Sequence, residues 1–159
     1  MLTRICVIGL AAAAALMAVS VGSAQTGAQT PEQQAEKAVK TRQGLFDVQA
    51  FAFGPVGAML KGAPVDPAVV QKQAARIQMT SGMVAEVFQL DTRKFPAKSK
   101  ASQLIWDKKP DFEKKATDLQ NAAATLEMVA RKGERGAILE AAGKVGEACK
   151  ACHDDFREK

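Results

Sequence analysis

The chain has 159 residues, a formal net charge of +5 and a pI near 9.2. This length suits a single domain and is too short for two of ordinary size. Since His153 is the only histidine and tyrosine is absent, a bis-histidine metal site within one chain and any tyrosinate ligand are excluded. Three cysteines are too few for a disulfide-dense scaffold. Abundant alanine with only 5% aromatic residues favours closely packed helices over a sheet.

Residues 1–24 are predicted to be a cleaved secretory signal peptide. A short basic start ending at Arg4 precedes an apolar, uncharged run over 5–21, and Gly22-Ser23-Ala24 supplies the small residues of a cleavage site. A transmembrane anchor is the alternative, but the run is slightly short of ~20 residues and lacks a basic stop-transfer flank. We therefore expect an exported protein without stable membrane insertion, whose mature domain spans 25–159.

The first half of the mature chain predicts two helices. Thr30-Pro31 has the pattern of a helix start, and apolar residues then recur at helical spacing for about seven turns, to about residue 60. Gly54-Pro55 is expected to kink this helix without necessarily ending it. Asp66-Pro67 repeats the start signal and opens a second helix that runs to about Phe88.

The second half predicts two more helices after a long connection over 90–102. A third helix is expected from about 103 to 132, bent early by Pro110 and ended by Gly133. The fourth is expected from about 134 to 157. Four amphipathic helices predict an all-α fold, an antiparallel up-down four-helix bundle.

The basic charge gives little indication of a partner. Acids and bases are interspersed along the helices, and Lys98 and Lys100 in the connection are weak evidence for a binding patch. Nucleic acid is not expected as a partner of an exported chain with few aromatic residues to stack on bases. The charge is interpreted as mostly a solvated surface.

The segment Cys149-Lys150-Ala151-Cys152-His153 has the C-x-x-C-H spacing of haem c attachment. Two thiols three residues apart can each add to one vinyl group of a porphyrin, and the adjacent imidazole can bind the iron. A redox disulfide would belong near a βαβ pattern, and zinc would need two further ligands. One motif predicts one covalent haem c, and because this haem is attached outside the cytoplasm in bacteria, we expect the protein in the periplasm.

The sequence leaves two points undecided: the partner of the Arg42 side chain and the identity of the sixth iron ligand. Arg42 occupies an inward position of the first helix, where a buried guanidinium needs a partner such as a haem propionate. The alternative is that its side chain reaches out to the bundle edge. With a second histidine excluded, the sixth position could hold a lysine, nothing, or one of the mature chain's four methionines: Met59, Met79, Met83 and Met128.

The mature chain resembles the class II cytochromes c, the cytochrome c′ and cytochrome c556 proteins. The resemblance lies in the C-x-x-C-H near the C-terminus, followed by Asp-Asp-Phe-Arg, and in the segments 39–46, 57–62 and 104–106. It implies a four-helix bundle with haem on the last helix and His153 as the axial iron ligand. It also implies Arg42 and Gln43 near the propionates and Arg157 beside the histidine.

Within that family, the residue four after the arginine faces the distal side of the iron. A methionine there gives the low-spin c556 type; here the residue is Phe46, which cannot ligate. The resemblance therefore favours cytochrome c′, with five-coordinate high-spin iron and a distal pocket blocked by Phe46. A low-spin c556-type carrier with a methionine from a shifted register is the alternative.

The resemblance also sets the expected function. It implies electron transfer with an unknown redox partner, or binding of nitric oxide and carbon monoxide, by a homodimer formed through the first two helices. Turnover of a substrate is not expected, because peroxidase chemistry needs a distal acid–base group and the only histidine is already used.

Overall fold

The computed structural model describes residues 28–159, and the predicted signal peptide lies outside them. The described chain is helical, and the predicted four-helix bundle is confirmed. Its helices are α1 Pro31–Leu60, α2 Pro67–Gly82, α3 Val84–Val87, α4 Leu104–Asp107, α5 Lys109–Lys132 and α6 Arg135–Phe156. Four long helices form the bundle, and α3 and α4 are single turns at one end of it. Within residues 28–159, no helix has the length and apolar character needed to cross a membrane.

The start of α1 follows from its capping residues. The Thr30 hydroxyl accepts a bond from the Gln33 N–H, and the Gln33 side chain accepts one from the Thr30 N–H. The helix continues through Pro55 to Leu60, so the proline does not end it. Gly62, with φ of +103°, then turns the chain, a conformation that glycine adopts without steric cost.

Two predicted helices are each divided. The second ends at Gly82 and resumes as the single turn α3, rather than running unbroken to Phe88. The third is interrupted at Lys108, where φ is −122° and ψ is 44°. Pro110 lies in the first turn of α5 and therefore does not bend it. In a helix that ran through from α4, the proline ring would clash with the carbonyl four residues earlier, and the break at Lys108 avoids this clash.

The buried apolar side chains form two clusters. The central cluster joins the four long helices: Ala52, Val56, Met59, Val70, Ala74, Ile77, Leu119, Ala123, Leu126, Ala130, Ile138, Ala141, Ala142 and Val145. The aromatic cluster fills the end of the bundle that carries α3, α4 and the end of α6: Val84, Phe88, Ile105, Phe112, Ala116 and Phe156, with Leu45, Phe46, Val87, Ala101, Trp106 and Cys152 partly buried against them.

Candidate haem site

The C-x-x-C-H motif occupies the last turns of α6, where the two clusters meet. Cys149 is half-buried and packs against the central cluster, whereas half-buried Cys152 packs against the aromatic cluster. His153 is exposed beside them. The helix thus presents two sulfurs toward apolar surroundings and one imidazole at the surface.

The electrostatics of the cysteines disfavour a reactive redox pair. Burial raises the pKa of both thiols, that of Cys152 to about 11, whereas reactive cysteines have a lowered pKa. Along residues 28–159, no three or more histidine, cysteine, aspartate and glutamate side chains gather into a metal-binding group. The structure therefore gives no support to the zinc or the thioredoxin-like alternative.

The surroundings of His153 favour its neutral form. Partial desolvation, together with the positive charge of Arg157, lowers the pKa of His153, and the charge of Asp154 opposes this only in part. A lowered pKa favours the neutral imidazole, which is the metal-ligating form. Arg157 follows directly after α6, where its N–H donates to the His153 carbonyl at 3.2 Å. A role of the Arg157 side chain beside a haem-bound histidine stays a prediction.

The surroundings of the motif fit a flat apolar group. Helix α6 packs extensively on α5 but only sparsely on α1, where the Phe53 ring approaches Gly146, one turn before Cys149. The two half-buried cysteines can supply thioether bonds to a haem, and His153 can supply a neutral nitrogen ligand. A haem held there provides an iron that takes up or releases one electron and binds small ligands.

Arg42 is buried, with only 3% of its surface exposed, so the alternative that it reaches out to the bundle edge is wrong. Its guanidinium donates hydrogen bonds to the Val87 carbonyl at 2.8 Å, the Thr92 hydroxyl at 2.9 Å and the Leu90 carbonyl at 2.5 Å. Burial lowers the pKa of Arg42, and the charge of Asp91 counteracts it. The sequence did not predict these three acceptors, because two are backbone carbonyls and Thr92 lies in an aperiodic segment.

Gln43 and Phe46 lie beside Arg42 at the same end of the bundle. Exposed Gln43 donates from Nε2 to the Lys98 carbonyl at 3.3 Å. Phe46 is half-buried, and its ring centroid lies 6.1 Å from that of Phe88. Phe46 and Cys152 therefore share the aromatic cluster, while contacts of Arg42 and Gln43 with haem propionates stay predictions.

The four methionines considered as iron ligands are not among the side chains of this cluster, although Met83 immediately precedes Val84, one of its members. Met59 is buried in the central cluster, and the other three are exposed: Met79, Met83 and Met128. None of the four is a member of the aromatic cluster that contains Phe46 and Cys152.

Comparison with known proteins agrees with this site. Residues 37–157 match the family model of cytochrome c′. Cytochrome c′ of Cereibacter sphaeroides is 36% identical over 128 residues, which cover 79% of this chain and 85% of that protein.

Solved structures of cytochrome c′ proteins are also similar to this chain. The nitric oxide complex of a cytochrome c prime variant from Alcaligenes xylosoxidans aligns with a TM-score of 0.69 at 31% identity, covering 79% of this chain and 97% of that one. A cytochrome c′ described by an unusual ligand-controlled dimer dissociation aligns with a TM-score of 0.71 at 30% identity, with coverage of 79% and 97%. With its C-x-x-C-H at the end of a four-helix bundle, the chain belongs to the cytochrome c′ family and carries a covalent haem c.

Proposed function

We propose that this protein acts in the periplasm as a one-electron carrier and binder of nitric oxide or carbon monoxide, at a five-coordinate, high-spin haem iron with His153 as axial ligand. The observation that carries the proposal is the position of Phe46. Its apolar ring packs in the same cluster as Cys152. By resemblance to the family, this is the position at which c556-type members carry the methionine ligand of a low-spin haem. A variant of the similar cytochrome c prime from Alcaligenes xylosoxidans forms a nitric oxide complex, which supports gas binding here.

The composition of this cluster favours binding over turnover. The aromatic cluster consists of apolar side chains together with the Cys152 thiol. Two charged groups that stack on its rings already have partners: Arg42 donates hydrogen bonds to three protein acceptors, and Arg93 pairs with Asp91 and Asp107. A distal general acid–base, which peroxidase chemistry requires, is therefore not supplied by these residues.

One set of spectra tests the proposed iron state. The ferric holoprotein is expected to show high-spin absorption and electron paramagnetic resonance, and the ferrous protein is expected to bind carbon monoxide and nitric oxide. A far-red charge-transfer band from methionine–iron ligation, with no carbon monoxide binding, would overturn the assignment in favour of the c556 type.

We also propose that the protein is a homodimer through α1 and α2. Large apolar side chains are exposed on these helices, among them Phe51 at 69% and Met79 at 71%. Val48 on α1 and Met83 at the end of α2 are exposed as well. The similarity to a cytochrome c′ with ligand-controlled dimer dissociation supports this assembly.

A further inference from the structure

The connection over 88–103, between α3 and α4, carries a group of unpaired positive charges. Lys94, Lys98 and Lys100 are exposed, and none of them makes an ion pair within the part of the chain that the structure describes. The segment is also longer than the roughly 12–15 residues beyond which structureless loops are uncommon and usually functional. Three such lysines between residues 94 and 100 concentrate positive charge on this one connection.

Hydrogen bonds hold this connection against the bundle. Its beginning receives two of the three hydrogen bonds of Arg42, at Leu90 and Thr92, and Gln43 donates to the Lys98 carbonyl. Its end forms an antiparallel bridge with the C-terminus, where the Ser102 N–H donates to the Phe156 carbonyl at 3.0 Å and the Glu158 N–H donates to the Lys100 carbonyl at 2.9 Å. The backbone that carries the lysines is therefore held in place.

The bridge brings the basic connection next to the axial histidine. Lys100 and His153 line one shallow surface depression. Its other lining residues are Asp154, Arg157, Glu158 and Lys159. Of the acids nearby, Asp154 is paired with Lys150 and Asp155 with Lys115. Glu158, which lines the same depression and makes no ion pair among the described residues, offsets part of this charge, but Lys94, Lys98 and Lys100 together with Arg157 and Lys159 leave the balance positive.

We propose that Lys94, Lys98, Lys100 and Arg157 form a docking surface for the acidic face of a redox partner protein. This inference rests on the proposed electron-transfer function, since it places the partner beside the C-x-x-C-H end. Like-signed charges around one site attract an oppositely charged partner and raise its rate of encounter, and salt screens the effect. The partner's acceptor gains the one electron that the protein's iron loses, without bond changes or proton transfer.

The test compares two small oxidants of opposite charge on the reduced holoprotein: anionic hexacyanoferrate(III) and cationic tris(phenanthroline)cobalt(III). The triple variant K94E/K98E/K100E reverses the charge of three of the four residues of the docking surface. Its matched control, K61E/K72E/K132E, changes the net charge equally at exposed, unpaired lysines of the opposite end. Along α1, residues 42 and 61 are about 28 Å apart at 1.5 Å per residue, well beyond the ~8–10 Å screening length.

The docking variant is expected to react at least about tenfold more slowly with hexacyanoferrate(III) at low salt, and faster with the cobalt complex. The control is expected to change either rate by less than about twofold, and the differences are expected to vanish near 0.5 M salt. Equal effects in both triple variants would overturn the docking surface. Failure of the wild-type protein to exchange electrons with either reagent would instead overturn the proposed function.

A binding measurement gives a second readout that does not depend on electron transfer. A short polyglutamate peptide, added to the ¹⁵N-labelled ferrous carbon monoxide complex, is expected to shift the amide resonances of 94–101 and 157–159. These shifts are expected to disappear in K94E/K98E/K100E and to persist in the control. Absence of shifts in the wild type, or binding to phosphatidylglycerol vesicles in place of the peptide, would overturn an acidic protein partner.

Discussion

The guanidinium carbon of Arg42 lies 4.5 Å from the centroid of the Phe88 ring, inside the end of the bundle. The Phe88 ring in turn meets Phe112 edge-on at 4.9 Å, and the Trp106 indole N–H donates to the Phe88 carbonyl at 3.3 Å. A cation over an aromatic face is attracted by the ring quadrupole, most strongly where both are desolvated. Arg42 thus stabilises α1 against α3 and the connection that follows it, through its hydrogen bonds and this ring.

A double-mutant cycle is expected to detect the contact. Because a desolvated cation–π pair contributes about 1–2 kcal/mol, Arg42→Met and Phe88→Leu should show a coupling free energy of that size. Arg42→Met alone should destabilise the protein on the order of 3 kcal/mol or more, since three acceptors lose their donor. The free energies of unfolding are measured by urea denaturation of the holoprotein.

The control for this cycle combines Phe88→Leu with Arg131→Met. Arg131 is exposed in the last turn of α5, at the other end of the bundle. The coupling there should stay within about 0.5 kcal/mol. A coupling equally small for Arg42 and Phe88 would show that the stacked geometry contributes nothing beyond hydrogen bonding.

Removal of the Phe46 ring is expected to speed the entry of gas. If the ring covers the distal side, a ligand must displace it from the aromatic cluster, and moving a half-buried phenylalanine costs about 1.5 kcal/mol. Phe46→Ala should therefore raise the carbon monoxide association rate roughly tenfold. Flash photolysis measures this rate, and Met128→Ala, at an exposed methionine of α5, is the control. An unchanged rate in Phe46→Ala would remove Phe46 from the distal side.

The sequence predicted the helical bundle and the attachment of haem because both depend on side-chain identity at regular spacing. Apolar residues recurring every three or four positions predict long helices, and the spacing of Cys149, Cys152 and His153 predicts haem attachment. The environment of Arg42 could not be predicted in this way. Its acceptors include the carbonyls of Val87 and Leu90, and a carbonyl is present whatever the side chain.

The connection over 88–103 is the other part that the sequence could not predict. Its attachment to the C-terminus uses backbone bonds between residues distant in the chain, such as Glu158 to Lys100, and these have no periodic signature. The sequence also did not predict the break at Lys108. A proline is compatible with the first turn of a helix and bends a helix only in its interior, so Pro110 alone does not show where the helix begins. Patterning therefore predicts regular elements well and the junctions between them poorly.

The dimer is tested by placing a charge on the apolar surface of α1. Phe51→Asp should weaken association at least about a hundredfold, since burying an unpaired carboxylate in an apolar interface costs several kcal/mol. Sedimentation velocity over a range of protein concentrations measures the dissociation constant. Met128→Asp is the matched control, at a methionine 59% exposed on α5. A monomeric wild type, or equal weakening by the control, would contradict a dimer through α1 and α2.

Stability at acid pH is expected to depend on Asp91. Its side-chain bond from Arg93 lowers the pKa of Asp91, and Arg93 also pairs with Asp107 of α4, so the carboxylate helps to fasten the connection to the bundle. A carboxyl whose pKa is lower in the folded state stabilises the fold above its unfolded pKa of about 3.9. That contribution is lost as pH falls through the folded value.

The melting temperatures of the wild type and Asp91→Asn, measured from about pH 6 to pH 2.5, test this dependence. The wild type should melt higher by a constant margin above about pH 5, and the margin should shrink below about pH 4. Glu36→Gln, at an exposed glutamate of α1 that makes no ion pair among the described residues, is the control and should show no such narrowing. A margin that persists unchanged to the lowest pH would mean that the Asp91 carboxylate does not stabilise the folded connection.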